Sequence, residues 1–185
     1  MEDMKTNIQD IKAVVFDGDG VIFTGRVFIG PDGKNYKERS LIDGQGISFL
    51  RAVDIRVAIV SSEISGHVES LGDKINSLPS VISGKWPKVG IFTGPAGKQK
   101  IETVRAWLEE QGLTMADCAY MGDDFTDYKV LQEVGFRACP AQAEEEIKEI
   151  ADFIADRRGG DGAIRDLANA IIKAKGLKLA DLDLK

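Results

Sequence analysis

Short, β-rich apolar runs recur along the chain at residues 14–16, 57–60 and Cys118–Met121, with further candidates at Phe136–Cys139 and Phe153–Ile154. Each is followed by a polar break and then by apolar residues at helical spacing. Ile47, Leu50 and Val53 form one such stripe. Ile101, Val104 and Leu108 form a second, with Gly112 as its stop. Ile147, Ile150 and Ala151 follow, then Ile164, Leu167, Ala168, Ile171 and Ile172. Strands alternating with helices of this length predict an α/β fold: a Rossmann-like, doubly wound parallel sheet with helices on both faces.

Two segments break the alternation. RVFIGPDGKNYKERSL carries turn chemistry at Pro31-Asp32-Gly33 between Val27, Ile29 and Tyr36, which predicts a β-hairpin over about 26–40, inserted after the first strand. NSLPSVISGKWPKVGIFTGPAG holds three of the five prolines and shows no clean period, so it reads as a long connection with one or two short strands. The polar end, about 176–185, reads as a loose tail. At 185 residues the whole chain, 1–185, fits one domain with a substantial core.

Composition narrows the function. A net charge of -6 argues against general affinity for nucleic acid or an anionic membrane, so an anionic substrate needs local cations or a bound metal. Cys118 and Cys139 suggest no disulfide framework. The polar start MEDMKTNIQD has no signal-peptide core, and no window approaches ~18 apolar residues. A cytoplasmic protein with no membrane partner is expected.

The chemistry gathers at the predicted strand ends, where open parallel sheets bind ligands. Asp17-Gly18-Asp19-Gly20 follows the first strand, Ser61-Ser62 the second, and Gly122-Asp123-Asp124, with Asp127 nearby, the third. Converging carboxylates repel one another and are pushed toward protonation. A hard divalent cation relieves this, and oxygen ligands suit Mg²⁺. A lysine from Gly97-Lys98-Gln99-Lys100 would supply positive charge at the same edge. Nucleophilic carboxylate, Mg²⁺, lysine and hydroxyl together are what phosphoryl transfer to an aspartate requires. Each piece also has a plainer reading: the aspartates as a turn, Ser61-Ser62 as a helix cap, His67 as a surface residue.

DGDGV, Ser61, Lys100 and GDDFTD, in this order, resemble the haloacid dehalogenase superfamily of phosphohydrolases over roughly Lys12 to Asp166. The hairpin, IDGQGI, AYMGDDFTD and RRGGDGAIRD are similar to its small capless branch, which acts on 2-keto-3-deoxy sugar acids: octulosonate 8-phosphates and nonulosonate 9-phosphates. The resemblance implies Asp17 as nucleophile, Asp19 as general acid and base, Ser61 on a phosphate oxygen, and Asp17, Asp19 (through its carbonyl), Asp123 and Asp127 around Mg²⁺. Lys100 fits the branch better than Lys98, because it lies twenty residues before Tyr120. The resemblance also implies a homotetramer built around the hairpins, with Val27, Phe28 and Ile29 buried between subunits.

Departures bear on the substrate. Octulosonate phosphatases carry Thr-Gly-Arg where Ser61-Ser62-Glu63 stands, while members acting on nine-carbon acids have Glu with a lysine eleven residues on, here Lys74. If one helix ran through this segment, Glu63 and Lys74 would share a face; an ordinary exposed pair is the alternative. On that basis a nonulosonate 9-phosphate is favoured slightly over the octulosonate 8-phosphate. The branch also commonly has Asp at Thr24 and an aromatic-Asn pair at Arg39-Ser40. A non-catalytic oligomerisation module, as in some sialic-acid activating enzymes, is the reading of another class. Retention of Asp17, Asp19 and Lys100 argues against it.

Overall fold

The computed structural model describes residues 6–184; the first residues of the polar start and the last residue of the tail lie outside them. Its centre is β1 (Ala13–Asp17), buried at every position. Around it lie β4 (Arg56–Ser61), β5 (Gly90–Thr93), β6 (Cys118–Met121), β7 (Phe136–Cys139) and β8 (Phe153–Ile154). These six strands form one sheet in the order β5-β4-β1-β6-β7-β8, and every pairing is parallel.

The side-chain alternation of a strand explains the two layers. Val14 and Phe16 of β1, with Val57 and Ile59 of β4, join one core. Helices α1 (Leu41–Ala52), α2 (His67–Asn76) and α7 (Ala163–Ala174) cover that face through Leu50, Leu71 and Leu167. Ala13, Val15, Ala58 and Val60 point the other way. There α4 (Lys98–Glu110), α5 (Phe125–Glu133) and α6 (Glu145–Ile150) supply Leu108, Leu131 and Ile147. Each such aliphatic side chain contributes roughly 1.5–3 kcal/mol on burial. A strand buried on both faces has to be apolar throughout, which is why the run in β1 stops where the chemistry begins. The doubly wound sheet expected from the sequence is the fold observed, and among the described residues no cap domain interrupts it.

Two motifs with no evident chemistry explain how the layers lock. Asp43 of IDGQGI is buried, and its carboxylate accepts from the Gly162 and Arg165 backbone N–H groups at 2.9 and 3.2 Å, closing the start of α7. Gly46 permits the α1–α7 crossing, since a Cβ there would lie 3.0 Å from the Arg165 Cα. In RRGGDGAIRD, Arg157 pairs with Asp166 at 2.7 Å, and the Gly160 N–H donates to the Val21 carbonyl at 2.8 Å. That contact braces the loop that follows β1.

The hairpin forms from β2 (Val27–Ile29) and β3 (Asn35–Lys37), antiparallel and separate from the main sheet. Phe28 and Ile29 are 59% and 75% exposed. The long connection contains one short helix, α3 (Pro79–Ile82), and one strand, β5, which extends the sheet at its edge. Its loop is fixed by side chains: the Asn76 amide bonds both the N–H and the carbonyl of Val89, and the buried Arg51 Nε donates to the Pro87 carbonyl at 2.9 Å. The tail carries a 3-10 turn at Leu179–Asp181, and Asp183 pairs with Lys85 at 2.7 Å. Among the described residues no helix is long and apolar enough to cross a membrane.

Candidate active site

The carboxyl ends of β1, β4 and β6 open into a cleft of about 540 Å³ lined by Asp17, Asp19, Ser61, Glu63, Lys100 and Asp123, among others. Asp17 is the last residue of β1, and it is almost fully buried. Gly18 follows because nothing larger fits: a Cβ there would lie 2.6 Å from the Ser61 Oγ. Gly20 turns the chain with a φ of +80°, in the left-handed region that glycine tolerates. A Cβ there would collide with the Asp123 carboxylate.

Lys100 reaches this point from the first turn of α4 and is 1% exposed. Its Nζ donates to Asp17 Oδ1 at 2.6 Å and to Asp127 Oδ1 at 2.5 Å. Asp127, on α5, also accepts from the Tyr120 hydroxyl at 2.7 Å and from the Asp123 N–H at 3.2 Å. Burial alone would lower the Lys100 pKa, but Asp17 and Asp127 outweigh it and hold the ammonium above its ordinary value. Lys98, two residues earlier, lines a different surface cleft with Glu102 and Lys129.

Oxygens of Asp17, Asp123 and Asp127 all lie within 4.8 Å of one another. Burial, reinforced by Asp127, pushes the Asp17 carboxyl up to about 8 despite Lys100. Burial, with Asp127 and Asp124, pushes Asp123 up to about 7. Two buried carboxylates and the half-buried Asp123, facing a single lysine, carry more negative charge than the protein neutralises. Hard oxygen donors held this way fit Mg²⁺, which would return both groups to the ionised form.

Asp19 and Ser61 also line the cleft, with Asp19 turned toward the hairpin. There Lys37 of β3, its side chain 2% exposed, contacts Asp19 Oδ1 and Oδ2 at 2.7 and 2.8 Å. The same ammonium pairs with Glu63. Ser61 ends β4 and its Oγ accepts from the Glu63 N–H at 3.2 Å. Lys37 was not legible as a site residue, because its partners are set by how the hairpin folds back. Gln142 was missed too: its Nε2 donates to the Gly20 carbonyl at 2.7 Å, and its Oε1 accepts from the Gly159 N–H. Its position just past β7, at a strand's carboxyl end, is the signal that could have found it.

One expectation is corrected. Glu63 and Lys74 do not share a helical face. Gly66, with a φ of +82°, starts α2 only at His67, so Glu63 sits in the preceding loop. Lys74 lines a neighbouring cleft with Lys34, Tyr36, Arg39 and His67. Thr24, Arg39 and Ser40, where the chain departs from the pattern it resembles, line a third cleft.

The profile of the haloacid dehalogenase-like hydrolases matches residues 42–166. The chain belongs to that family. A YrbI-family phosphatase structure from Pseudomonas syringae is 30% identical, covers 97% of this chain and 95% of its own, and superposes with a TM-score of 0.82. The 3-deoxy-D-manno-octulosonate 8-phosphate phosphatase KdsC of Haemophilus influenzae is 29% identical over 94% of this chain and 89% of its own length. The corresponding phosphatase of Moraxella catarrhalis, solved with magnesium, phosphate and KDO, is 25% identical, covers 91% of this chain and 90% of its own, and has a TM-score of 0.77. This hydrolase of the haloacid dehalogenase family is thus a phosphoric monoester hydrolase, and the acidic cluster at its strand ends is where Mg²⁺ fits.

Proposed function

We propose that the enzyme removes the phosphate of 3-deoxy-D-manno-octulosonate 8-phosphate through an aspartyl-phosphate on Asp17. The observation that carries the chemistry is Asp17 itself: a buried carboxylate at a strand end, held by Lys100, with Asp19 two residues on and facing the same cleft. The KdsC relatives, matched along most of their length, support the substrate. The nonulosonate preference loses its basis, because Glu63 is engaged by Lys37 and Lys74 lies in another cleft.

In this reading an Asp17 carboxylate oxygen attacks phosphorus while Asp19 protonates the departing sugar oxygen. Asp19 then takes a proton from the water that attacks the aspartyl-phosphate, which releases phosphate and restores Asp17. The Ser61 hydroxyl donates to a phosphate oxygen. Lys100 fixes the attacking carboxylate and offsets charge in a site where water is scarce. Asp17, Asp123 and Asp127, with the Asp19 carbonyl, would hold Mg²⁺, which when bound neutralises charge on the phosphoryl oxygens. The intact set of Asp17, Asp19 and Lys100 supports an active enzyme over a module that only assembles.

The hairpin that carries Lys37 to the site also exposes Phe28, Ile29 and Tyr36. This supports a homotetramer in which the hairpins pack together and neighbours cover the clefts. We place the enzyme in the cytoplasm, in keeping with two buried free thiols and no membrane-crossing helix among the described residues. Phosphate release from octulosonate 8-phosphate, a nonulosonate 9-phosphate and unrelated sugar phosphates tests the reading. The eight-carbon substrate should give the highest kcat/KM, and a preference for either other class would refute it.

A further inference from the structure

The third cleft, of about 350 Å³, shares Thr24 with the active site and so adjoins it. Three arginines line it, Arg26, Arg39 and Arg158, together with Glu38 and Asp161. Among the described residues none of the three guanidiniums has an ion-pair partner, although two carboxylates line the same walls. Three unpaired arginines in one cleft are unexpected on a chain of net charge -6. Exposed ion pairs are worth little, so a single unpaired arginine is ordinary; three converging on one cleft beside a reaction centre present planar donor forks that suit a carboxylate.

The walls are fixed, which a recognition site needs. Arg158 stands on the loop that Arg157 anchors to Asp166 and that Gly159 and Gly160 bind to Gln142 and Val21. Arg39 and Glu38 stand at the hairpin base, where the Thr24 N–H donates to the Glu38 carbonyl at 3.0 Å. Those same contacts brace the loop that carries Asp17 and Asp19. The arginine cleft and the catalytic aspartates are therefore tied to the same loop after β1.

We propose that this cleft is the subsite for the substrate's carboxylate, gripped in the planar bidentate manner open to arginine and closed to lysine. The proposal rests on the reading of the substrate as a phosphorylated sugar acid. It makes the arginines a ruler: the phosphate at Asp17 and the carboxylate beyond Thr24 are read together.

The test compares wild type with Arg26→Gln, Arg158→Gln, Arg158→Lys and Lys74→Gln, using octulosonate 8-phosphate and p-nitrophenyl phosphate. Each Arg→Gln change should raise KM for the sugar acid roughly 5- to 30-fold, with kcat nearly kept and Arg158→Lys intermediate; this is the effect of losing one charge-assisted contact at a half-open site. Turnover of p-nitrophenyl phosphate, which has no carboxylate, reports that each variant is folded and should barely change. An unmoved KM in the arginine variants overturns the proposal, and so does a rise confined to Lys74→Gln, which would put the carboxylate beside α2. Inhibition of p-nitrophenyl phosphate turnover by the free sugar acid KDO separates this idea from the substrate reading. If wild type ignores octulosonate 8-phosphate but KDO inhibits it and the Arg→Gln variants resist, the substrate reading fails and the carboxylate site stands. If KDO inhibits wild type and the Arg→Gln variants alike, or inhibits neither, the site falls.

Discussion

Lys100→Met is the most informative single perturbation. It keeps the length and apolar stem of the side chain but deletes the charge between Asp17 and Asp127, 2.6 and 2.5 Å away. Breaking a buried ion pair by removing one partner typically costs ~3–5 kcal/mol. Here the loss can be softened by proton uptake, so its size should depend on pH. Asp17 already has a folded pKa of about 8, above the ordinary 3.8, chiefly through burial and Asp127, with Lys100 opposing. A carboxyl raised on folding binds its proton more tightly in the native state. Its penalty is absent at low pH and grows as pH rises from the unfolded value through the folded one. Without Lys100 the folded value climbs further, and the penalty keeps growing above the range where wild type levels off.

The expected result in chelator is a small loss of stability near pH 6 and one approaching ~3–5 kcal/mol near pH 9. For a chain of this size that is a fall in Tm of roughly 6–20 °C at the alkaline end. Denaturant unfolding at the two pH values measures it, and Mg²⁺ should restore part of the loss by neutralising the same carboxylates. Phosphatase activity should fall roughly 10²–10³-fold even when Mg²⁺ is saturating. Equal losses at both pH values, or a variant that is folded and fully active, would refute the role assigned to Lys100.

Asp17→Asn and Asp19→Asn should each cut turnover by ~10²–10⁴-fold or more, measured as phosphate release; Asp17→Asn should at the same time raise the alkaline Tm of the metal-free protein, because it removes a raised carboxyl. A chelator should silence the wild type reversibly, and its destabilising effect in thermal melts should be larger near pH 8 than near pH 5, since Asp17 and Asp123 lie near 8 and 7. Lys37→Met should depress hydrolysis of alkyl phosphates more than of p-nitrophenyl phosphate, because it frees the Asp19 carboxylate that alkyl leaving groups need, and Lys37→Arg should recover part of the loss. Phe28→Lys combined with Ile29→Lys should yield a smaller species in sedimentation, and an unchanged particle would count against hairpin assembly.

The strands and the strand-end residues were legible for one physical reason. A central parallel strand has no solvated face, so residues 13–16 carry no polar side chain until the loop begins, and the polar residues that follow stand where the sheet opens. Asp17, Ser61, Lys100, Asp123 and Asp127 come together in the structure as that rule expects. The 74–97 connection was not legible, because its form depends on Arg51 and Asn76 reaching across from other elements to hold Pro87 and Val89. The supposed Glu63–Lys74 face failed on a local detail. Periodicity places residues on a helix only once its start is known, and the left-handed Gly66 moves that start past Glu63.

Lys37 links the hairpin to the chemistry as well as to the proposed assembly. Two paired strands of three residues are marginal on their own in water and need packing against the rest of the protein. On one face that packing is the bidentate grip of Lys37 on Asp19, with its ammonium 5.5 Å from the Phe23 ring. On the opposite face of the hairpin Phe28 and Tyr36, paired across its two strands, are exposed. A partner that orders the exposed face therefore also sets how firmly Lys37 holds the carboxylate assigned to proton transfer. The coupling needs no conformational relay, because the two faces belong to the same pair of strands.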